Sequence, residues 1–415
     1  MADTALPLDC LIFGGGVAGL WTLDELTRRG ANALLIEVHE LGSGQSVSSQ
    51  GILHGGFKYT LRGMLTAAAE AIAEMPPLWR ACLEGTAEPS LRATRVVGEH
   101  CHLWQTRSLA STLGMIGARA GLRVAPTLLE PEERPPALRR CPGKVARIDE
   151  QVIDPVSLIR DLSSRHLERI IKCEPEGGIE FDLAAPGEVR RVTLTRAQGA
   201  SIALAPRCVL LAAGAGNERL RTQVGLGADA AQRRPLHMAM ARGALPVLHG
   251  HCVDGAHTRV TITSASCPVR GTIWQLGGQL SEDGVRLDER TLQQRAAEEI
   301  ADVLPGIDLS RVEWSSYRVD RAERRTGGGV RPDDAQLLED GGNVITAWPT
   351  KLVLAPRLAQ LVAGRVDGGG VAERPHPNSG ARDAERRATI EGLADWTRPN
   401  VAKAPWDQPL SWSRL

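Results

Sequence analysis

Three glycines and one carboxylate near the start of the chain have the residue types and spacing of a dinucleotide site. Gly14, Gly16 and Gly19 satisfy the pattern G-x-G-x-x-G, and Glu37 lies 23 positions after Gly14. Glycine lets the backbone approach a pyrophosphate, a helix N-terminus supplies free N–H groups, and a carboxylate accepts hydrogen bonds from ribose hydroxyls. The residues expected at the dinucleotide are Gly14, Gly16, Val17, Ala18, Gly19, Glu37 and Val38.

A strand, a helix and a second strand must hold these residues, and the hydrophobic pattern predicts all three. Residues 8–13 are an almost wholly apolar run, typical of a strand buried on both faces. A helical spacing follows until Gly30, and a second apolar run, residues 33–36, ends at Glu37. A lone glycine motif is weak evidence, and a chance match or a merely structural turn is the alternative. The complete unit in register favours a dinucleotide.

The segment after Glu37 is a polar loop rich in Gly and Ser. Residues 39–56 read HELGSGQSVSSQGILHGG. With the glycine unit, this loop resembles the FAD-dependent oxidoreductases of the D-amino-acid oxidase superfamily, which includes glycerol-3-phosphate dehydrogenases, 2-hydroxyglutarate dehydrogenases and glycine or sarcosine oxidases. The resemblance implies FAD rather than NAD, with the loop along the flavin. The contacts it implies are Ser46, Ser48, Ser49, Gly51 and Gly55. On composition alone, a flexible surface loop is the alternative.

A second stretch, near the C-terminus, carries the same resemblance. Trp348-Pro349-Thr350-Lys351 joins a candidate strand to a helical pattern, and Lys351-Leu352 is similar to the glycine-lysine-leucine turn of glycerol-3-phosphate dehydrogenases. The chain has Trp, Pro and Thr where many relatives have glycines. The resemblance implies cofactor contacts from Thr350, Lys351 and Leu352, and from Gly214 at the end of strand 208–216. An ammonium beside the ring would stabilise negative charge on reduced flavin; a surface lysine is the alternative.

His54 is the candidate catalytic base. It lies between an apolar pair and a double glycine, at a loop where the backbone can press against a flat ring. An imidazole can take a hydroxyl or ammonium proton near neutral pH. In some relatives a histidine near this loop binds flavin covalently, and a structural role is the third alternative.

Three further residues are expected at the substrate. Arg318 lies where the superfamily usually has an arginine that grips an anionic group, and a guanidinium fork pairs with carboxylate or phosphate in two places. Lys58 and Tyr59 follow the double glycine, where glycerol-3-phosphate dehydrogenases have a basic residue and a tyrosine. The resemblance thus implies catalytic roles for His54, Arg318 and Lys351, and substrate contacts from Lys58, Tyr59 and Arg318.

Composition narrows the function classes. The 49 basic and 49 acidic residues balance, so no electrostatic footprint for nucleic acid exists. The eight cysteines occur singly, without metal-ligand spacing, which indicates reduced, mostly buried thiols and no metal site. His100 and His102 lack a nearby third ligand. No apolar run is long enough to span a membrane, so we expect a cytoplasmic protein. Peripheral membrane contact stays open.

The expected fold is α/β, with a Rossmann-like FAD-binding domain built on a mixed sheet and an interleaved α+β substrate domain with an antiparallel sheet. The resemblance implies an interrupted order, in which the FAD-binding segments are 1–85, 145–225 and 320–367. The substrate domain takes 86–144 and 226–319, and 368–415 form an extended tail. The resemblance implies oxidation of a CH–OH group in an anionic small molecule such as a 2-hydroxy acid or polyol phosphate. An amine or amino-acid oxidase, and an FAD-binding protein without redox turnover, are the alternatives. Oxygen, a quinone or a redox partner would accept the electrons.

Overall fold

The computed structural model describes residues 5–55, 67–106, 126–196, 199–254, 257–267, 271–368 and 379–415. Its strands are β1 (Leu6–Phe13), β2 (Ala33–Glu37), β3 (Val96–Gly98), β4 (Cys101–Trp104), β5 (Thr127–Leu128), β6 (Val145–Ile148), β7 (Val152–Ile153), β8 (Ile170–Lys172), β9 (Ile179–Ala185), β10 (Glu188–Thr195), β11 (Ser201–Leu211), β12 (Ala231–Gly243), β13 (Gly250–Asp254), β14 (His257–Cys267), β15 (Gly271–Gly277), β16 (Glu313–Arg324), β17 (Gln336–Glu339) and β18 (Val344–Trp348). Its α-helices are α1 (Val17–Arg28), α2 (Ala67–Glu84), α3 (Pro155–Ser164), α4 (Asn217–Gln223), α5 (Gln279–Asp283), α6 (Glu289–Val303), α7 (Ala355–Asp367) and α8 (Ser379–Gly392).

Sheet 1 carries the predicted dinucleotide unit. Its strand order is β17-β18-β11-β1-β2-β8, and β10 and β9 extend from β11 as an antiparallel branch. The strands from β18 to β8 run parallel, so their carboxyl ends share one edge. Cys10 and Ile12 of β1 pack on the side of α1 and α7, whereas Leu11 and Phe13 pack on the opposite side. As predicted, β1 is buried on both faces because helices or strands cover each side.

Sheet 2 has the order β16-β12-β15-β14-β13-β4-β6-β5. Its pairs are antiparallel except for β4 with β13. One face packs on α6, whose buried Leu292, Ala296 and Ile300 recur at helical spacing. The other face carries a row of buried polar side chains, which are His251, Thr261, Thr263 and Gln275. The α/β fold class expected from the sequence is confirmed, with one mixed sheet whose central strands are parallel and a second, mostly antiparallel sheet.

The structure differs from two of the expected boundaries and from the expected form of the tail. Strand β6 belongs to sheet 2 rather than to the second FAD-binding segment, because it pairs with β4. Strand β16 continues in sheet 2 to Arg324, past the expected border at 319/320, because it pairs with β12 along its whole length. The tail is not wholly extended, since α8 lies within it.

Candidate active site

A cavity of about 710 Å³ lies at the carboxyl edge of sheet 1. Phe13, Glu37 and Trp348, the last residues of three parallel strands, line it, and Ala212 follows the end of a fourth. Residues 317–320 of β16 line it from sheet 2. Open α/β sheets bind their ligands at this edge, where strand ends leave loops and helix N-termini free.

A different steric constraint favours glycine at each of the three positions of the motif. Gly14 has φ +111°, and a Cβ there would lie 2.6 Å from the Ala213 Cα atom. A Cβ on Gly19 would lie 2.0 Å from the Gly14 carbonyl oxygen, so this glycine permits close packing of helix on strand. A Cβ on Gly16 would lie 3.1 Å from the Ser46 hydroxyl and would narrow the cavity, which Gly16 lines. The motif therefore forms a tight turn with room for a ligand above Gly16.

The Glu37 carboxylate is fixed at the end of β2 by backbone N–H groups. Its Oε2 accepts from Gly15 N at 2.6 Å, and its Oε1 accepts from Val38 N at 2.9 Å and His39 N at 2.8 Å. The side chain is buried and lines the cavity. An acceptor-only group held at this point suits the hydroxyls of a ribose.

The serine-rich loop lies over the first turn of α1. The Ser46 hydroxyl accepts from Val17 N at 3.1 Å, and Ser48 and Ser49 also line the cavity. Within the described residues, the Ser49 hydroxyl and the Trp348 indole N–H are buried without a hydrogen-bond partner, and both residues line the cavity. A buried polar group left unpaired costs about 1–3 kcal/mol. The room above Gly16 and the fixed Glu37 acceptor suit a pyrophosphate and a ribose, so the cavity fits a dinucleotide cofactor such as FAD.

The turn before α7 forms another part of the cavity wall. Thr350 has φ +64°, which makes it the one positive-φ residue other than glycine in the described ranges. Its hydroxyl donates to the Asp334 carbonyl at 2.9 Å, which holds the backbone in this disfavoured region. Thr350, Lys351 and Leu352 line the cavity, as does Gly214 across from them. The Trp-Pro-Thr sequence thus makes a positive-φ turn without a glycine.

His54 belongs to a cluster of three side chains. Its Nδ1 lies 3.2 Å from Glu150 Oε2, and His251 Nε2 lies 3.5 Å from the same oxygen. The other carboxylate oxygen, Oε1, accepts from Gly55 N at 2.9 Å. His251 Nδ1 contacts the Thr261 hydroxyl at 2.9 Å. The cluster joins the loop, the β6–β7 turn and the polar face of sheet 2.

Glu150 is buried, with 3% of its surface exposed. Burial alone would raise the pKa of its carboxyl, but the two imidazoles and their hydrogen bonds hold that pKa well below its usual range. The carboxylate is therefore ionised at neutral pH and acts only as a hydrogen-bond acceptor. No metal site was expected, yet the nearest N and O atoms of these three side chains lie within 4.8 Å of one another. Hydrogen bonds account for the short contacts.

Comparison with known proteins decides the family. Residues 9–363, most of the chain, match the family described as FAD dependent oxidoreductase, DAO. The chain belongs to this family. This flavoenzyme is 40% identical over 413 residues to the probable FAD-dependent oxidoreductase PA4991 of Pseudomonas aeruginosa, covering 97% of the chain and 98% of that protein. FAD is thus the cofactor, and the protein is an oxidoreductase.

Solved structures share the fold of the flavoenzyme. The crystal structure of PA4991 superposes with a TM-score of 0.78 at 37% identity, covering 97% of this chain and 98% of that one. Glycine oxidase from Geobacillus kaustophilus gives 0.64 at 19% identity, covering 91% and 98%. L-alpha-glycerophosphate oxidase from Mycoplasma pneumoniae, with FAD bound, gives 0.64 at 14% identity, covering 89% and 97%. The last two comparisons show the fold alone.

Arg318 was expected to bind the substrate, but in the structure of the flavoenzyme its guanidinium binds backbone carbonyls. Its guanidinium donates to the carbonyl oxygens of Val285 and Leu287, both at 2.8 Å. Side chains alternate along a strand, and it is the preceding residue, Tyr317, that reaches the serine-rich loop. The Tyr317 hydroxyl donates to the Ser48 carbonyl at 3.0 Å. Arg318 is a lining residue of the cavity, but two of its nitrogens are engaged by backbone.

The other expected residues fall into three groups. The cavity is lined by Gly14, Gly16, Val17, Ala18, Glu37, Val38, Ser46, Ser48, Ser49, Gly214, Thr350, Lys351 and Leu352. Gly19, Gly51, Gly55 and His54 are not among its lining residues. Gly51 instead packs on β7, where a Cβ would lie 2.0 Å from the Ile153 carbonyl oxygen. Lys58 and Tyr59 lie outside the described residues.

Four residues of the site were missed in the sequence. Tyr317 and Gln275 hydrogen-bond to each other and both contact the Ser48 carbonyl, Gln275 through its amide at 3.0 Å. Glu150 and His251 complete the His54 cluster. The alternation in β14 and β15 hinted at a polar face, but nothing in the spacing singled out these positions.

In the part of the chain that the structure describes, no helix has the length and apolar character to cross a membrane.

Proposed function

We propose that this flavoenzyme oxidises a carbon bearing a hydroxyl group, with His54 as the base that takes the hydroxyl proton. The observation that carries the proposal is the 3.2 Å contact between His54 Nδ1 and the ionised carboxylate of Glu150. Bound FAD supplies the hydride acceptor. The chain's own residues bind the cofactor, orient the substrate and remove the proton.

A hydroxyl substrate is favoured over an amine substrate because the hydroxyl must lose its O–H proton during oxidation. An alcohol holds its proton too tightly to lose it to water at neutral pH, so its oxidation benefits from a positioned base. An amine reaches its reactive neutral form by losing a proton to solvent. A histidine paired with a buried carboxylate is an arrangement suited to taking the proton of a hydroxyl substrate. The fold does not distinguish hydroxyl from amine substrates, since it is shared with a glycerophosphate oxidase and a glycine oxidase.

An anionic 2-hydroxy acid or polyol phosphate remains the proposed substrate class. Arg318 supports it less than its position in the sequence suggested, because backbone carbonyls engage its guanidinium. Lys351 lines the cavity and supplies one positive charge there. Lys58 keeps its expected role as a prediction. The proposal of a CH–OH donor therefore rests on His54 and Glu150, and the anionic group on Lys351 and Lys58.

An anaerobic screen of flavin bleaching tests the proposal. Lactate, 2-hydroxyglutarate and glycerol 3-phosphate would be compared with glycine, sarcosine and proline, following the loss of the oxidised flavin absorbance. We expect bleaching by at least one hydroxy compound and by none of the amines. Bleaching by the amines alone would assign the enzyme to CH–NH donors. Repeating the active reaction in air separates an oxidase from a dehydrogenase.

A further inference from the structure

We propose that Glu150 and His251 are positioning residues that hold His54 in one tautomer, with the proton on Nδ1 and the basic lone pair on Nε2. The inference deepens the proposed function and depends on it for its catalytic consequence. The tautomer itself is a property of the protein that does not depend on any substrate.

The carboxylate fixes both imidazoles because it cannot donate. Ionised Glu150 offers only lone pairs, so each ring nitrogen that faces it must carry a proton. His54 Nδ1 and His251 Nε2 are therefore both N–H groups. The remaining nitrogen of His54, Nε2, is the one that can accept a proton. The general rule is that the hydrogen bond made by one ring nitrogen sets the protonation of the other.

His251 and Thr261 complete the arrangement from sheet 2. With its proton on Nε2, His251 has an acceptor at Nδ1, and the Thr261 hydroxyl, 2.9 Å away, donates to it. The Thr261 carbonyl in turn accepts from the Gln50 amide at 3.1 Å, within the loop that holds the cofactor. The three donors on Glu150 are His54, His251 and the Gly55 N–H. They satisfy the buried charge, which otherwise would be costly.

The oxidation step removes one proton and one hydride from the hydroxyl substrate. The substrate O–H proton would pass to His54 Nε2, and the C–H bond would break with its electron pair leaving as a hydride, for which bound FAD would supply the acceptor. The carbonyl product forms from the oxygen lone pair. The imidazolium that results faces the Glu150 carboxylate, which stabilises its positive charge without taking the proton. Glu150 touches no reacting atom and acts through His54.

Nitrogen-15 NMR of histidine-labelled, FAD-loaded protein tests the tautomer directly. Spectra would be recorded at mildly alkaline pH, with the His54 and His251 signals assigned from His54→Gln and His251→Gln. We expect the Nδ1–H form for His54 and the Nε2–H form for His251. In Glu150→Gln the His54 ring should become a mixture of tautomers, while Glu150→Asp should restore part of the wild-type pattern. An Nε2–H form of His54 in the wild type would overturn the inference.

Kinetics of flavin reduction supply the second readout, with whichever hydroxy compound bleaches the flavin in the screen. Glu150→Gln should slow reduction roughly tenfold to a hundredfold, less than the loss of the base itself. Because Glu150 acts through His54, the double variant with His54→Ala should be no slower than His54→Ala alone. Additive losses in the double variant would show that Glu150 acts elsewhere, and would overturn the inference.

Three checks separate the possible failures. His249→Gln is the matched control. His249 is a buried histidine just before β13, the strand that carries His251, and it contacts the Val97 carbonyl rather than Glu150. This variant should reduce flavin at the wild-type rate. Full activity of His54→Ala would refute the proposed function. The tautomer of His54 would then be tested by the NMR spectra alone. A transition metal that survives dialysis against EDTA in a one-to-one ratio, and is lost in His251→Gln, would overturn the inference, because the cluster would then hold an ion.

Discussion

The phenol of Tyr317 donates to the carbonyl oxygen of Ser48 at 3.0 Å, across 269 positions of sequence. This bond joins the last strand of sheet 2 to the loop that lies over the cofactor cavity. Burial raises the pKa of Tyr317, so its hydroxyl keeps its proton and remains a donor. The contact shows that Tyr317 of β16 meets this loop, whereas Arg318 lines the cavity but donates to the backbone carbonyls of Val285 and Leu287.

The steric role of Gly14 predicts the loss of cofactor from Gly14→Ala. The new Cβ would collide with the Ala213 backbone, and its φ of +111° disfavours any side chain. We expect the variant to purify largely as apoprotein, judged from the ratio of flavin to protein absorbance. Gly364→Ala is the control, because this helical glycine has open space around its Cβ position. A Gly14→Ala protein with full flavin content would refute the interpretation of this turn.

Glu37→Gln is expected to weaken FAD binding. The charged acceptor at the end of β2 is lost, and a hydrogen bond to a charged group contributes about 1.5–3 kcal/mol, or roughly 10–150-fold in Kd. Titration of apoprotein with FAD, followed by flavin fluorescence, measures the change. Glu40→Gln, at an exposed position of the same loop, should leave Kd unchanged. Equal Kd values for Glu37→Gln and the wild type would remove Glu37 from the ribose site.

Arg318→Lys should change stability rather than substrate affinity. The two hydrogen bonds to Val285 and Leu287 require the guanidinium fork, so their loss should lower the free energy of unfolding by about 0.5–1.5 kcal/mol. Thermal unfolding and steady-state kinetics on the active hydroxy compound measure both effects. A large rise in KM with unchanged Tm would return Arg318 to the substrate.

His54→Ala is expected to keep FAD and to slow its reduction by roughly 10²–10⁴-fold, the usual contribution of a general base. Stopped-flow absorbance under anaerobic conditions measures the rate. Acid precipitation distinguishes the covalent alternative, since a wild-type pellet that stays yellow would indicate a flavin–protein bond. A variant that reduces flavin normally but unfolds at lower temperature would assign His54 a structural role.

Asp24 gives helix α1 a pH-dependent stability. Burial would raise the pKa of this carboxyl, but hydrogen bonds from His166, Arg28 and Arg165 hold it well below its usual value. Because the folded-state pKa is depressed, the stabilisation is complete above the unfolded value of about 3.9 and is lost as the pH falls below it.

Asp24→Asn should therefore lower the free energy of unfolding by about 1–3 kcal/mol at neutral pH, below the value for a fully buried pair because both arginines are partly exposed. The difference from the wild type should shrink as the pH falls from 5 toward 3. Asp367→Asn, which breaks the exposed pair with Arg29, is the control and should have little effect. A difference that does not depend on pH would contradict the assignment.

The sequence predicted the parts of the site that are local in the chain. Gly14 to Glu37 form one continuous unit, so spacing alone showed their relation. Glu150 and His251 reach His54 from 96 and 197 positions away, and no local pattern connects such residues. Neighbouring strand residues point to opposite faces, so resemblance alone could not choose between Tyr317 and Arg318. Proline usually ends or kinks a helix, yet α2 continues through Pro76 and Pro77.

The serine-rich loop is hydrogen-bonded to sheet 2 at two points, Gln45 and Gln50. Gln45 accepts from Ala322 N at 3.1 Å, and the Gln50 amide donates to the carbonyls of Thr261 and Gln275. The same loop places its Ser46 hydroxyl on the first turn of α1. We therefore expect FAD binding, by favouring this placement of the loop, also to stabilise the docking of the two sheets. Hydrogen exchange in β14 and β15 should slow when FAD binds.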